Sequence, residues 1–275
     1  MTHDEVFLAG NEREEPSEDY SRALHVFDNV VRNCVAVSRR HSGIQSPSTK
    51  HFYASVLFTA LIARSISLVV LAPHSPWAQK LVEHWDYATA AIIVRTMMEL
   101  RAAFYYLCVD HTSDEEWDCR WALLRLHDCN SRLRLLAARS TTAGDIETLE
   151  AEVEIVRAEL RANRHFQALR HQQTLLNGGS AYLFPLEEIL ERAGLEKSAY
   201  RFLNVVFSSH VHGLPMSYFR MAEENRGRGL PSPVEESSTT ICLSLGSALL
   251  TATRDEVEEM FKDVTKQSSS TSKGG

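Results

Sequence analysis

Apolar residues return every three or four positions along most of this chain, and a sustained alternation of period two occurs nowhere. Leu24, Phe27, Val31, Cys34 and Val35 set the spacing of a first helix, from about Glu18 to Arg40. It stops at "HSGIQSPS", a cluster of glycine, proline and serine. Residues 50–72 are apolar nearly all round and are expected as a buried core helix, closed by Pro73 and Pro76. Residues 77–110 are long enough for one helix or two in series. "SDEEW" at 113–117 is a start signal, with Ser113 as cap and Glu116 placed to reach back to its amide. That helix reaches about Arg139, and a charged, alanine-rich helix follows over 145–172. Shorter helices are expected at 185–193 and 196–211 and after Pro215, and a last one from Pro233 to about Lys262. The loops at 177–185 and 226–233 are internal connections, and no repeat of fixed period is present.

The pattern predicts an all-α fold: a single-domain helical bundle of about seven to nine helices over residues 18–265. The acidic start, 1–17, and the tail, 266–275, are too poor in apolar residues to pack and are expected to be disordered.

Composition narrows the function classes. The 275 residues are 44% hydrophobic and 24% charged, enough for a sizeable core. A net charge of −7 gives no general attraction to phosphate, so a nucleic-acid partner would need a local basic patch. The five cysteines are odd in number and contain no C-x-x-C pair. They are expected as reduced, mostly buried thiols of a cytoplasmic protein. The first 20 residues lack the basic and apolar regions of a secretory signal. The most span-like stretch, 51–72, carries Arg64 well inside it. That residue costs about 2.5–3.5 kcal/mol at a bilayer centre, so no membrane partner is expected.

Candidate chemistry is sparse. "SSHVHG", 208–213, holds two histidines two positions apart, which point about 200° away from each other on a helix. With Gly213 and Pro215 just beyond, His210 and His212 read as the polar end of a helix, with a site role for one of them as the alternative, rather than as a joint metal site. Arg95 and Glu99 stand four apart on a helix that is apolar nearly all round, with Ala88, Ala91, Ile92 and Ala102 beside them. Withdrawal of two ions from water carries a penalty of several kcal/mol each. A pair in such company reads either as a self-satisfied buried salt bridge that fixes helix register or as a buried polar cluster, with a third polar group, a ligand or ordered water beside it, unless the helix is rotated and the pair exposed.

"AAIIVRTMMELRAAFYYL", "DEEWDCRWALLRLHD" and "AYRFLNVVFSSHVHG" together resemble a bacterial all-helical family of unknown function. The likeness covers about residues 80–215 and implies a helical fold with a shared polar cluster. Its matching positions here are Arg95, Glu99, Tyr200, Ser209, His212 and Gly213. It implies no reaction.

The sequence thus favours a ligand-binding or protein-interaction domain, its partner a small molecule, another protein or a second copy of the chain. No cofactor is implied, and neither a phosphate-binding loop, nor H-E-x-x-H, nor G-x-S-x-G, nor G-x-G-x-x-G is present. The alternative is a metal-independent ribonuclease resembling helical toxin and defence proteins, in which an arginine and a histidine lie a few residues apart. Arg120 with His127 and Arg164 with His171 fit, the second pair with the polar follower His165. Chance supplies about three such spacings in a chain with this many arginines and histidines. A metal enzyme built on Glu99, His210 or His212, with His84 and Asp86, is a third reading, weakened because His84 and Asp86 are again two apart.

Overall fold

A computed structural model of the chain describes residues 15–110, 112–139, 143–219, 227 and 229–271, the side chains of 143 and 265–271 excepted. Among these the fold is all-α, and the one extended pairing is an isolated bridge between Trp85 and Gly229. The helices are α1 (Glu18–His41), α2 (Thr49–Leu71), α3 (Tyr87–Phe104), α4 (Asp114–Ala138), α5 (Ala143–Ala162), α6 (Arg164–Gln167), α7 (Gln172–Leu176), α8 (Leu186–Arg192), α9 (Lys197–Val211), α10 (Pro215–Tyr218) and α11 (Pro233–Thr271). A π-helical turn, Tyr105–Val109, prolongs α3. The chain falls into two compact units, one ending at Cys108 and resuming at Leu190, the other Val109–Ile189. The expected disordered segments lie mostly outside the described residues, although Ser17 caps α1 and the backbone of α11 stays helical to Thr271.

In the first unit α1 packs chiefly on α11, and α2 on α3. Tyr20, Phe27, Val31 and Cys34 of α1 are fully buried. The α1–α11 crossing depends on Gly246, where a Cβ would meet the Phe27 ring at 2.9 Å. Burial of α2, expected as a core helix, is one-sided. Ala54, Phe58, Leu61, Ile62, Ser65, Leu68 and Val69 face inward, but Phe52 and Val56 are about half exposed. By length and composition alone α2 could cross a bilayer.

Residues 77–86 are not helical either. Their side chains are tied to the end of α2: Lys80 Nζ donates to the carbonyls of Leu71 and Ala72, and Glu83 accepts from the His74 amide. Those terminal carbonyls lack intrahelical donors, so Lys80 acts as their cap. Trp77 Nε1 donates to Asp28, whose carboxylate also holds Arg32. A helix here would withdraw each of these partners.

The second unit is built on α4 packed against α5. Its core is Cys119, Leu123, Leu126 and Cys129 against Leu149, Val153, Val156 and Leu160, closed by Phe166 and Leu176. The helix expected over 145–172 ends ten residues early at Ala162. Asn163 stops it by capping α6 instead, its Oδ1 accepting the Phe166 amide and its Nδ2 donating to the Glu115 carbonyl. Ser113 caps α4 as expected, but the Glu116 carboxylate does not complete the reciprocal bond. It takes Arg120 instead.

Candidate functional site

Three features converge where α3 begins. Asp86 is its N-cap: Oδ1 accepts the Thr89 amide at 3.0 Å and Oδ2 the Thr89 hydroxyl at 2.5 Å. The next orphan amide, on Tyr87, donates to Glu235 Oε2 at 3.2 Å. Glu235 lies in the first turn of α11, behind the cap Ser232, whose hydroxyl accepts its amide. Its other oxygen accepts the Gly227 amide at 2.7 Å. One carboxylate, only 2% exposed, therefore joins two helix starts and a loop.

The loop is held by Trp85, whose amide donates to the Gly229 carbonyl at 3.1 Å. Gly229 is required on two counts. Its φ is +74°, and a Cβ there would lie 2.5 Å from the His84 ring. The third feature is the end of α9. Gly213, at φ +57°, closes it with bonds from its own amide to His210 O and from the Leu214 amide to Ser209 O. This leaves His210 inside the last turn, with Nε2 2.5 Å from Tyr87 Oη and the two rings edge to face at 4.8 Å. A neutral imidazole accepts the phenol proton there, and an imidazolium donates instead. Trp85, Asp86, Tyr87, His210, Gly229 and Glu235, with neighbours on α10, enclose a cavity of about 100 Å³. It has room for several waters or a group of a few heavy atoms. That is well short of the ~300–1,000 Å³ of a drug-sized pocket.

The sequence-predicted cluster is split in two by the fold. His210 joins the cavity. His212 is the exposed C-cap of α9, and the two histidines diverge. Arg95 lies eight residues beyond Tyr87, about 12 Å further along α3. Its guanidinium donates to Asn204 Oδ1 and to Ser208 Oγ on α9 and reaches Glu99 at 3.1 Å. The expected burial of this pair is overturned: the Glu99 side chain is 49% exposed and that of Arg95 21%. The inward stripe of α3 runs through Ala91, Val94, Met97, Met98, Arg101 and Phe104, which leaves 95 and 99 on its flank. Tyr200 is buried on the core face of α9, and Ser209 donates to the Val206 carbonyl in its own helix.

The buried ions are others. Arg101, 2% exposed, makes a two-pronged pair with Glu256, donates to the Ala193 carbonyl and lies over the Phe104 and Tyr105 rings. In the second unit Arg120, 1% exposed, is held by Glu116 and Asp110 and lies over the Phe184 ring. Its intended partner His127 is half-buried. Arg164 and His171 are exposed at the starts of α6 and α7 and share no hydrogen bond among the described residues. No group of three or more histidine, cysteine or acidic side chains there is placed to hold a metal ion. All five cysteines are unpaired and buried. Burial pushes the thiols of Cys34, Cys108, Cys119 and Cys242 up to about 12, which keeps them protonated and inert near neutrality.

Tyr87, Trp85 and Glu235 were not singled out from the sequence, although Ser232-Pro-x-Glu235 is a helix-start signal that points to the last of them. A family comparison places the chain. Residues 51–229, well over half of its length, match the profile of a family of unknown function, DUF5677, and the chain belongs to that family. No curated protein and no solved structure matches it.

Proposed function

We propose that this member of the family is a small-molecule-binding protein whose recognition site is the cavity at the start of α3. The supporting observation is the Tyr87–His210 pair on its wall, a donor–acceptor couple that can present either a proton or a lone pair. Around it the site combines a few fixed polar groups with aromatic surface, the usual make-up of a ligand pocket on a small scale. Most of the lining, from His84 to Gly229, falls within the residues that define the family, and Glu235 lies just beyond them. In the same reading the protein works in a reducing cytoplasm, as five unpaired buried thiols suit.

A thermal-shift screen with small polar fragments tests the proposal. Fragments that raise the melting temperature of the parent protein are expected to lose that effect with Tyr87→Phe or His210→Ala. Hits that ignore both substitutions, or no hits at all, would overturn it. RNA incubated with the protein stays intact on this reading, whereas the ribonuclease alternative with Arg164 and His171 requires its cleavage.

A further inference from the structure

One long helix face in the first unit is apolar and uncovered. An 18-residue stretch of α2 has a mean hydropathy of 2.1, yet only 39% of it is buried. The helix packs inward on α1, α3 and α11, while its outer side is exposed from Phe52 to Val70. At about 100° per residue, the side chains at 52, 55, 56, 59, 63, 66, 67 and 70 fall in an arc about 120° wide. None of them is charged, and Arg64 points about 120° away from the centre of the arc. A continuous uncharged face of this length is the mark of an interaction surface.

The order of residues along the face fits a second copy of itself. In a two-fold pair of antiparallel helices, positions equally far from the axis on either side share a layer. The axis that suits α2 is level with Leu61, which is fully buried on the opposite side of the helix. Phe52 of one copy then shares a layer with Val70 of the other, Val56 with Ile66, Thr59 with Ala63, and Ser55 with Ser67. Small residues meet at the centre, where they let the helices approach, and bulky apolar pairs close the seam on both sides. The Ser67 hydroxyl donates to the Ala63 carbonyl of its own helix, so its proton stays bonded when the face is covered. No ion meets its like along the seam. A face about 30 Å long and 10–12 Å across, on two copies, withdraws on the order of 1,000 Å² from water, the lower bound for a stable interface. More surface adjoins it. A cleft of about 900 Å³ between the end of α1 and the start of α2 opens onto the same face through Phe52, Val56 and Thr59. An antiparallel copy brings the far end of its own α2 to that cleft, with the Lys80 loop tied to it and Leu81 wholly exposed on that loop. We infer that a second copy of the chain covers this face, α2 against α2, antiparallel about a two-fold axis at the level of Leu61. A bilayer would accept the same apolar area but sets no condition on the order of residues.

Sedimentation velocity and cross-linking of the full chain test this. The parent protein is expected to sediment as a dimer, at twice the chain's 31.0 kDa, in the micromolar range. Ala63→Glu sets two like charges beside the axis and should weaken the dimer at least a hundredfold. Glutamate is a good helix former and the site is exposed, so the variant should still fold. Arg64→Glu, off the seam, should leave dimerisation unchanged. Phe52→Cys and Val70→Cys read the register, against a background of five buried native thiols. Mixed and oxidised, the two variants should join to each other by a disulfide. Neither should join to itself, because like positions lie about 27 Å apart in the antiparallel pair. A monomeric parent overturns the inference, and binding of that monomer to phosphatidylcholine vesicles would assign the face to a bilayer instead. A dimer indifferent to Ala63→Glu uses another surface, and one in which Phe52→Cys joins to itself is parallel. Either result overturns the pairing.

Discussion

The two ends of α3 handle buried charge in opposite ways. At its C-terminal end Arg101 and Glu256 meet two-pronged, with the Ala193 carbonyl as a further acceptor and two aromatic rings against the guanidinium. Cation and carboxylate there match each other directly. At the N-terminal end Glu235 and Asp86 accept from helix-start amides and form no ion pair among the described residues, and a cavity adjoins them. The first arrangement is complete without a ligand and reads as architecture. The second is complete only as far as hydrogen bonds go. The contrast is between a buried cation matched by a carboxylate and a buried carboxylate matched by backbone amides.

The largest expected effect comes from unbalancing the closed end. Glu256→Gln leaves the Arg101 cation buried with a neutral partner and is expected to cost about 3–5 kcal/mol. Arg101→Met costs less, about 1–3 kcal/mol, because the Glu256 side chain is 26% exposed and can turn to water. Urea unfolding measures both. Equal costs would mean that Arg101 reaches solvent as easily as Glu256 does, and the contrast between the two ends would fail.

A middle-sized effect is expected at the open end. Gly229→Ala requires both an unfavourable left-handed alanine and displacement of the His84 ring, at about 1–3 kcal/mol. The same change should weaken any ligand of the cavity, since the Trp85–Gly229 bridge holds the loop that forms its wall. Stability lost with binding unchanged would detach that loop from the site.

The helical fold and most helix ends were legible because caps and breakers are local. Ser113 accepts the expected amide, Ser17 and Ser48 cap α1 and α2 in the same local way, and the glycine at 213 fixes the end of α9. The phase of α3 was not legible. Ile92, Ile93 and Leu100 on its half-buried sides are as apolar as Val94 and Met97 on its inward side. Periodicity then gives no direction to the core, and Arg95 and Arg101 are equally eligible to face it. The choice is made by distant partners: Glu256, 155 residues from Arg101, and Asn204 and Ser208, more than 100 from Arg95. Glu235 and Tyr87 are likewise 148 residues apart, a separation at which one sequence carries no signal. Of the site, only His210 could be reached by local reasoning, because it depends on how a helix ends.

The smallest expected effect probes the flank of α3 between its two ends. Arg95 is held there by Asn204 and Ser208 as well as by Glu99, and the Glu99 side chain is half in water. An exposed pair four residues apart on a helix contributes about 0.3–0.5 kcal/mol. Glu99→Gln should therefore shift stability by no more than about 0.5 kcal/mol, and less in high salt, where exposed charges are screened. Asn204→Ala should cost more, about 1–2 kcal/mol, since it removes a neutral acceptor from a charged donor that is four-fifths withdrawn from solvent. Denaturant melts of both variants at low and high salt decide the matter. If Glu99→Gln proved the costlier change and its effect survived high salt, the pair would behave as a buried one, and the flank of α3 would have to be counted with its closed end.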